Sequence, residues 1–146
     1  MTPYSFSVSL RLTHPTRPLT EFSDLLDLKP ARFWTAGEPK LTPKGTPLPI
    51  KAEESFWEAS LTGAQSKGGK ISSKKTTLED WLGQAVADFA PHQEKFAGIA
   101  ATGGRAELLI RWFGDYTMGA SLEPDLLRAL SDLSLTLRLD AFPDEG

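Results

Sequence analysis

The run Gly63-Ala64-Gln65-Ser66-Lys67-Gly68-Gly69-Lys70 lies between an expected strand and an expected helix, the setting in which glycine amides and a lysine cradle a phosphate. Its spacing argues against that chemistry. A phosphate loop needs lysine directly after its second glycine and a hydroxyl residue next, whereas here Gly69 intervenes and Ile71 follows Lys70. A solvated connector is the better reading. Lys67, Lys70, Lys74 and Lys75 are the densest positive charge in the chain and could draw in a phosphate backbone by counterion release. No aromatic interleaves with them to stack a base, so a charged, solvated loop explains them better.

Only His14 and His92 offer a neutral-pH base or a nitrogen ligand, and no HExxH or HxH spacing is present. No metal and no cofactor are expected. Ser121, in Gly119-Ala120-Ser121-Leu122-Glu123, lacks the closing glycine of a nucleophile elbow and is read as a hydroxyl near a helix start. Glu54 and Glu58 flank Trp57 and form an acid/base pair only if burial raises one of them. Glu21, Asp24, Glu79, Asp80 and Asp125 fall in expected first helical turns, where negative charge is favoured by ~0.3–1 kcal/mol. Trp34 is different, because Arg32-Phe33-Trp34-Thr35-Ala36-Gly37 lies among prolines. The ring either anchors that segment on the core or lines a cleft. Anchoring is favoured, since a long loop needs apolar contacts to offset its ordering entropy. Trp57, Trp81 and Trp112 fall on apolar faces and are expected in the core.

The chain of 146 residues, 40% hydrophobic, fits a single domain over 1–146. At this length folding buries roughly 70% of the surface of the unfolded chain, enough for one sizeable core. It has no cysteine, which excludes disulfides and thiolate chemistry and suits a reducing compartment. No stretch approaches the ~20 apolar residues of a membrane helix, and the first residues lack a signal-peptide pattern. A soluble cytoplasmic protein with no membrane partner is expected. A net charge of −3 argues against a nucleic-acid partner.

Residues 4–13 alternate Tyr4, Phe6, Val8, Leu10 and Leu12 with Ser5, Ser7, Ser9, Arg11 and Thr13, the period of a strand with one buried face. After the turn at His14-Pro15-Thr16-Arg17-Pro18, the spacing of Leu19, Phe22, Leu25 and Leu26 predicts a helix to about Leu28, stopped by Pro30. Pro30, Pro39, Pro43, Pro47 and Pro49 predict a long proline-rich loop over 30–50. A strand is expected over 55–61, with Trp57, Ala59 and Leu61 on one face and Phe56 and Glu58 on the other. A flexible Lys/Gly/Ser loop follows over 63–75. Thr77 caps a helix with Asp80 three residues on, and Leu78, Trp81, Leu82, Ala85, Val86 and Phe89 form its stripe. Pro91 breaks it, and a second helix over about 92–101 ends at Gly103-Gly104. A strand over 105–113 sets Glu107, Leu109 and Arg111 opposite Ala106, Leu108, Ile110 and Trp112. A helix with Pro124 and Asp125 in its first turn precedes a last strand, where Leu135, Leu137, Leu139 and Ala141 alternate with Thr136, Arg138 and Asp140. This order predicts an α+β two-layer sandwich, a mainly antiparallel sheet with helices on one face, related to ferredoxin-like folds.

The order of landmarks resembles the uncharacterised bacterial family called domain of unknown function 4279. The likeness rests on the first strand ending near a His-Pro turn; on Leu28, Pro30, Trp34 and Gly37; on Ser55 with Trp57; on Gly103-Gly104 before Glu107-Leu108; and on the Leu-rich end through Asp140. It implies a small bacterial cytoplasmic protein and brings no catalytic residues. The residues themselves favour a non-catalytic binding or protein-interaction module over an enzyme. Its recognition surface would be an open sheet face carrying Ser7, Ser9, Arg11, Arg111 and Arg138, bordered by Arg32 and Trp34. The alternative is a small-anion-binding protein or enzyme with a cleft near Trp34 and Arg111. Nucleic-acid binding through the lysine loop trails both, and the oligomeric state is open.

Overall fold

The computed structural model describes residues 3–42, 44–63, 69–114 and 119–143. Its elements run β1 (Ser5–His14), α1 (Glu21–Leu25), β2 (Arg32–Trp34), β3 (Pro39–Leu41), β4 (Pro47–Lys51), β5 (Ser55–Ser60), β6 (Ile71–Ser72), α2 (Leu78–Phe89), α3 (Gln93–Ala101), β7 (Arg105–Phe113), α4 (Pro124–Asp132) and β8 (Leu135–Phe142). The main sheet has the order β2-β5-β1-β7-β8, with β6 continuing beyond β5 along the same side of β1. All its pairings are antiparallel except β7–β8. A parallel pair needs a crossover, and α4 supplies it. The α+β two-layer architecture is the one the periodicity predicts, with a strand path of its own.

The alternation in β1 is obeyed residue by residue: Phe6, Val8, Leu10, Leu12 and His14 are buried, and the five intervening residues are half-exposed. The apolar row meets Trp57 and Ala59 of β5, Ala106, Leu108, Ile110 and Trp112 of β7, and the stripes of α2, α3 and α4 in one buried cluster. Trp57, Trp81 and Trp112 all lie in it, as their positions predict. Thr77 caps α2 by accepting the Asp80 amide at 3.2 Å.

Two helices stop in the same way. After α3, Gly103 is left-handed at φ +94°, its amide bonds to the Ala100 carbonyl, and the Gly104 amide reaches back to Ile99 at 2.8 Å. After α1, Asp27 takes the left-handed position at φ 52° and the Leu28 amide reaches Ser23. That stop ends the helix at Leu25, short of the Leu28 expected from apolar spacing. Gly104 serves a different purpose from Gly103. A Cβ there would lie 2.5 Å from the Thr13 carbonyl oxygen, so the residue permits close packing of α3's end on β1.

The proline-rich segment is not the loop that its composition predicts. It holds β2, which extends the main sheet, and the two-stranded ribbon β3–β4. Pro39, Pro47 and Pro49 are tolerated because each ribbon strand has an unpaired edge, where no amide donor is needed. Pro43 lies outside the described residues. The lysine-rich stretch also departs from expectation. Ile71 is buried and β6 pairs with Ser5 and Phe6, while Ser73 exchanges bonds with the Tyr4 backbone. Residues 64–68, with Lys67, lie outside the described residues. No helix among the described residues is long and apolar enough to cross a membrane.

Candidate functional site

The helices pack on one side of the sheet, and the other side carries the odd-numbered residues of β1. Strand register fixes what stands beside them. Arg11 lies between Glu58 of β5 and Glu107 of β7, and Arg32 of β2 is opposite Glu58 on its far side. Ser9 lies between Ser60 and Leu109, with Arg138 beyond Leu109. Ser7 is opposite Arg111, whose other neighbour is Asp140. These are cross-strand neighbours, the distance at which side chains on one face interact.

The middle of this face is an ion-pair ladder. Arg11 Nε donates to Glu58 Oε2 at 2.8 Å, and its guanidinium lies 4.0 Å from Glu107, which Arg105 meets at 3.5 Å on its other oxygen. The carboxylates are well enclosed, with side chains 14% and 10% exposed for Glu58 and Glu107. Leu109 is only 4% exposed although no helix covers it. Its register neighbours are Ser9 on β1 and Arg138 on β8, and the aliphatic stem of an arginine can shield apolar surface while its charge stays wet.

One corner holds an aromatic stack. Trp34 lies 4.7 Å from Phe56 at 19°, the guanidinium groups of Arg11 and Arg32 lie 5.7 and 5.5 Å from the Phe56 centroid, and Lys40 Nζ is 5.8 Å from that of Trp34. The opposite corner repeats the theme with Phe113 stacked on Phe142 at 5.5 Å and Lys70 3.9 Å over Phe113. Trp34 therefore anchors its segment on Phe56 of the uncovered face, not on the core. It also lines two clefts, about 470 Å³ with Phe33 and the ribbon prolines and about 430 Å³ with Lys40, Glu53 and Glu54.

The structure gathers Arg11, Arg32 and Trp34 at this corner, while Ser7, Ser9, Arg111 and Arg138 lie farther along the same face. Phe56, Trp34's partner, pairs with Thr13, and Arg111 pairs with Ser7, so six residues of β1 separate their rows. At ~3.3 Å per residue that is about 20 Å, too far for one small-molecule cleft. Arg111 is exposed and makes no ion pair among the described residues, whereas Arg138 lies 3.5 Å from Asp140 on its own strand. Among the described residues, the strands of this face carry five arginines (Arg11, Arg32, Arg105, Arg111 and Arg138) against three carboxylates (Glu58, Glu107 and Asp140), Lys40 and Lys70 lie over its corner aromatics, and Glu53 and Glu54 line the cleft beside Lys40. Although the chain carries a net charge of −3, this face holds a modest excess of cations among its described residues.

The other chemistry-bearing residues are placed by structural work. His14 is buried, accepts the Thr16 and Arg17 amides at Nδ1, and meets Thr102 Oγ1 at 2.7 Å through Nε2. Two donors on Nδ1 assign the proton to Nε2, which donates to Thr102 while Thr102 donates to the Gly98 carbonyl. His92 lies at the junction of α2 and α3, beside a cleft of about 300 Å³ with Asp27 and Asp88 on its rim. Among the described residues the Ser121 hydroxyl caps no amide: the Ser121 amide donates to Glu79 Oε2, and Glu123 holds the N-cap position of α4. Glu58 is ion-paired to Arg11, and Glu54 lines the cleft beside Lys40. The sequence reading missed the partners Glu107, Arg105, Phe56 and Lys40 as members of the site. Alternation put Phe56, Glu58 and Glu107 on polar faces, but only register brings them together.

The described residues thus form an α+β sandwich whose helices lie on one side of the main sheet, with ion pairs in the middle of the other side and aromatic stacks at its corners. The chain belongs to the family Domain of unknown function (DUF4279), whose model matches residues 2–143. No curated protein and no solved structure matches the chain.

Proposed function

We propose that the protein is a non-catalytic binding module that engages a protein partner through the uncovered face of its main sheet. The observation that carries this reading is the half-buried Trp34–Phe56 stack, flanked by Arg32 and Lys40 beside the Arg11 ladder. Tryptophan and arginine dominate the energetic centres of protein interfaces, because they combine large contact area with directional hydrogen bonding. The excess of cations calls for a partner surface rich in carboxylates, which would speed encounter and fix orientation. An open sheet and widely spaced arginines suit an extended contact better than an enclosed small molecule. The cysteine-free composition fits work in a bacterial cytoplasm.

The test is affinity capture with the full chain from a lysate of its native organism, run beside W34A, R32E and a control on the helical side, K95A. The reading expects a protein retained by the wild type and K95A and lost by W34A and R32E. Retention that is the same for all four proteins, or no retained protein at all, overturns it.

A further inference from the structure

The two edges of the main sheet are built differently. At one end β2 is three residues long and follows directly after Pro30-Ala31, a short edge of the kind that discourages further pairing. At the other end β8 is eight residues long, pairs with β7 in unbroken register, and contains no proline, bulge or lysine. Among the described residues nothing pairs with its outer side. Leu139, at the middle of this edge, is 55% exposed, and α4, the helix over this margin, leaves Leu127 48% exposed. A long, regular edge with an exposed leucine at its centre is a template for another strand.

The sequence of β8, Leu135-Thr136-Leu137-Arg138-Leu139-Asp140-Ala141-Phe142, shows which strand fits. If two antiparallel copies are related by a two-fold axis through Leu139, Arg138 stands opposite the second copy's Asp140, and Asp140 opposite the second copy's Arg138. Leu139 meets Leu139, Leu137 meets Ala141, and Thr136 meets Phe142. Both charged residues lie on the uncovered face, and the leucines lie on the helix side, so no side chain is forced onto the wrong surface. Opposite charges directly across an antiparallel pair attract, and the symmetry makes that attraction occur twice. An isologous contact of this type closes on itself as a dimer.

We infer that the outer edge of β8 joins the same edge of a second copy of this chain, giving a homodimer with one continuous sheet across the two-fold axis. The uncovered faces of both copies then lie on the same side of the extended sheet, and the corner that holds Trp34 is at the far edge from the contact. This inference stands independently of the proposed partner.

The experiment is light scattering or sedimentation on the full chain over a concentration series, for the wild type, R138D, D140R and R138D/D140R. The wild type reaches twice the 16.0 kDa chain mass. Each single exchange sets like charges opposite each other at both symmetric positions and weakens the dimer by roughly tenfold or more. The double exchange restores complementarity and with it the dimer. If the double variant loses its wild-type circular dichroism, L139K decides: a folded monomer supports the pairing, and a dimer as tight as wild type contradicts it. A wild type that stays at the chain mass throughout, or a dimer indifferent to both single exchanges, overturns the inference.

Discussion

Replacing Arg11 by methionine keeps the aliphatic stem that lies on the sheet and deletes the guanidinium that holds the ladder together. The loss has three parts. The first is the 2.8 Å bond to Glu58, a charge-assisted hydrogen bond whose removal strands a carboxylate that is only 14% exposed, worth about 1.5–3 kcal/mol. The second is the attraction to Glu107 at 4.0 Å, small because Arg105 still serves that carboxylate. The third is the contact with the Phe56 ring at 5.7 Å, worth about 0.5 kcal/mol at a partly exposed site. Arg11 itself is 28% exposed, so water replaces part of what is lost and the bond falls toward the low end of its range. The expected total is about 2 kcal/mol, or roughly 4–8 °C in melting temperature for a chain of this size. Urea denaturation of R11M, E58Q and the double variant measures it, and the double-mutant cycle should show a coupling of about 1 kcal/mol or more. A loss below about 0.5 kcal/mol for R11M at unchanged m-value, or strictly additive single variants, would show that the Arg11–Glu58 pair does not hold the ladder together.

Burial pushes the Tyr4 phenol up, opposed by the Leu78 amide that donates to its oxygen at 2.9 Å and reinforced by the nearby Glu79 carboxylate. The folded protein therefore holds this proton to higher pH than the unfolded chain does. Its contribution is fully present below about pH 10 and is lost as pH rises through the folded value. Y4F should flatten the alkaline limb of a stability-versus-pH curve while costing about 1 kcal/mol at neutral pH, and an unchanged limb would count against this assignment. G104A should destabilise by about 2 kcal/mol in the same denaturation assay, because its methyl group would meet the Thr13 carbonyl, Ile99 and His14. A neutral G104A would show that this junction relaxes freely.

Much of this architecture is written locally. A period of two in β1 and β7 declares which side meets the helices, and the Thr77 cap, the Pro91 break and the Gly103 stop mark helix ends without reference to the rest of the fold. What sequence reasoning missed is mostly long-range. Arg11 and Glu58 are 47 residues apart, and nothing in either neighbourhood says that they share a register position. Residues 30–50 misled because proline density excludes sheet interior but not the outward edge of a ribbon. Asp27 ended α1 early because an aspartate accepts the left-handed backbone that is more readily expected of glycine. Leu139 shares the alternation of Leu135 and Leu137 and looks buried in sequence, yet an edge strand covered only in part by a nine-residue helix leaves it in water.

The most direct measurement of the central claim is acrylamide quenching of tryptophan fluorescence in the free protein and after saturation with the captured partner. Trp57, Trp81 and Trp112 are buried on the helix side and Trp34 alone among the four is half-exposed on the bare face. A single accessible tryptophan population, shielded when the partner binds, is expected, with the effect absent in W34F. Quenching that is unchanged by the partner, or a wild-type response that persists in W34F, would contradict it.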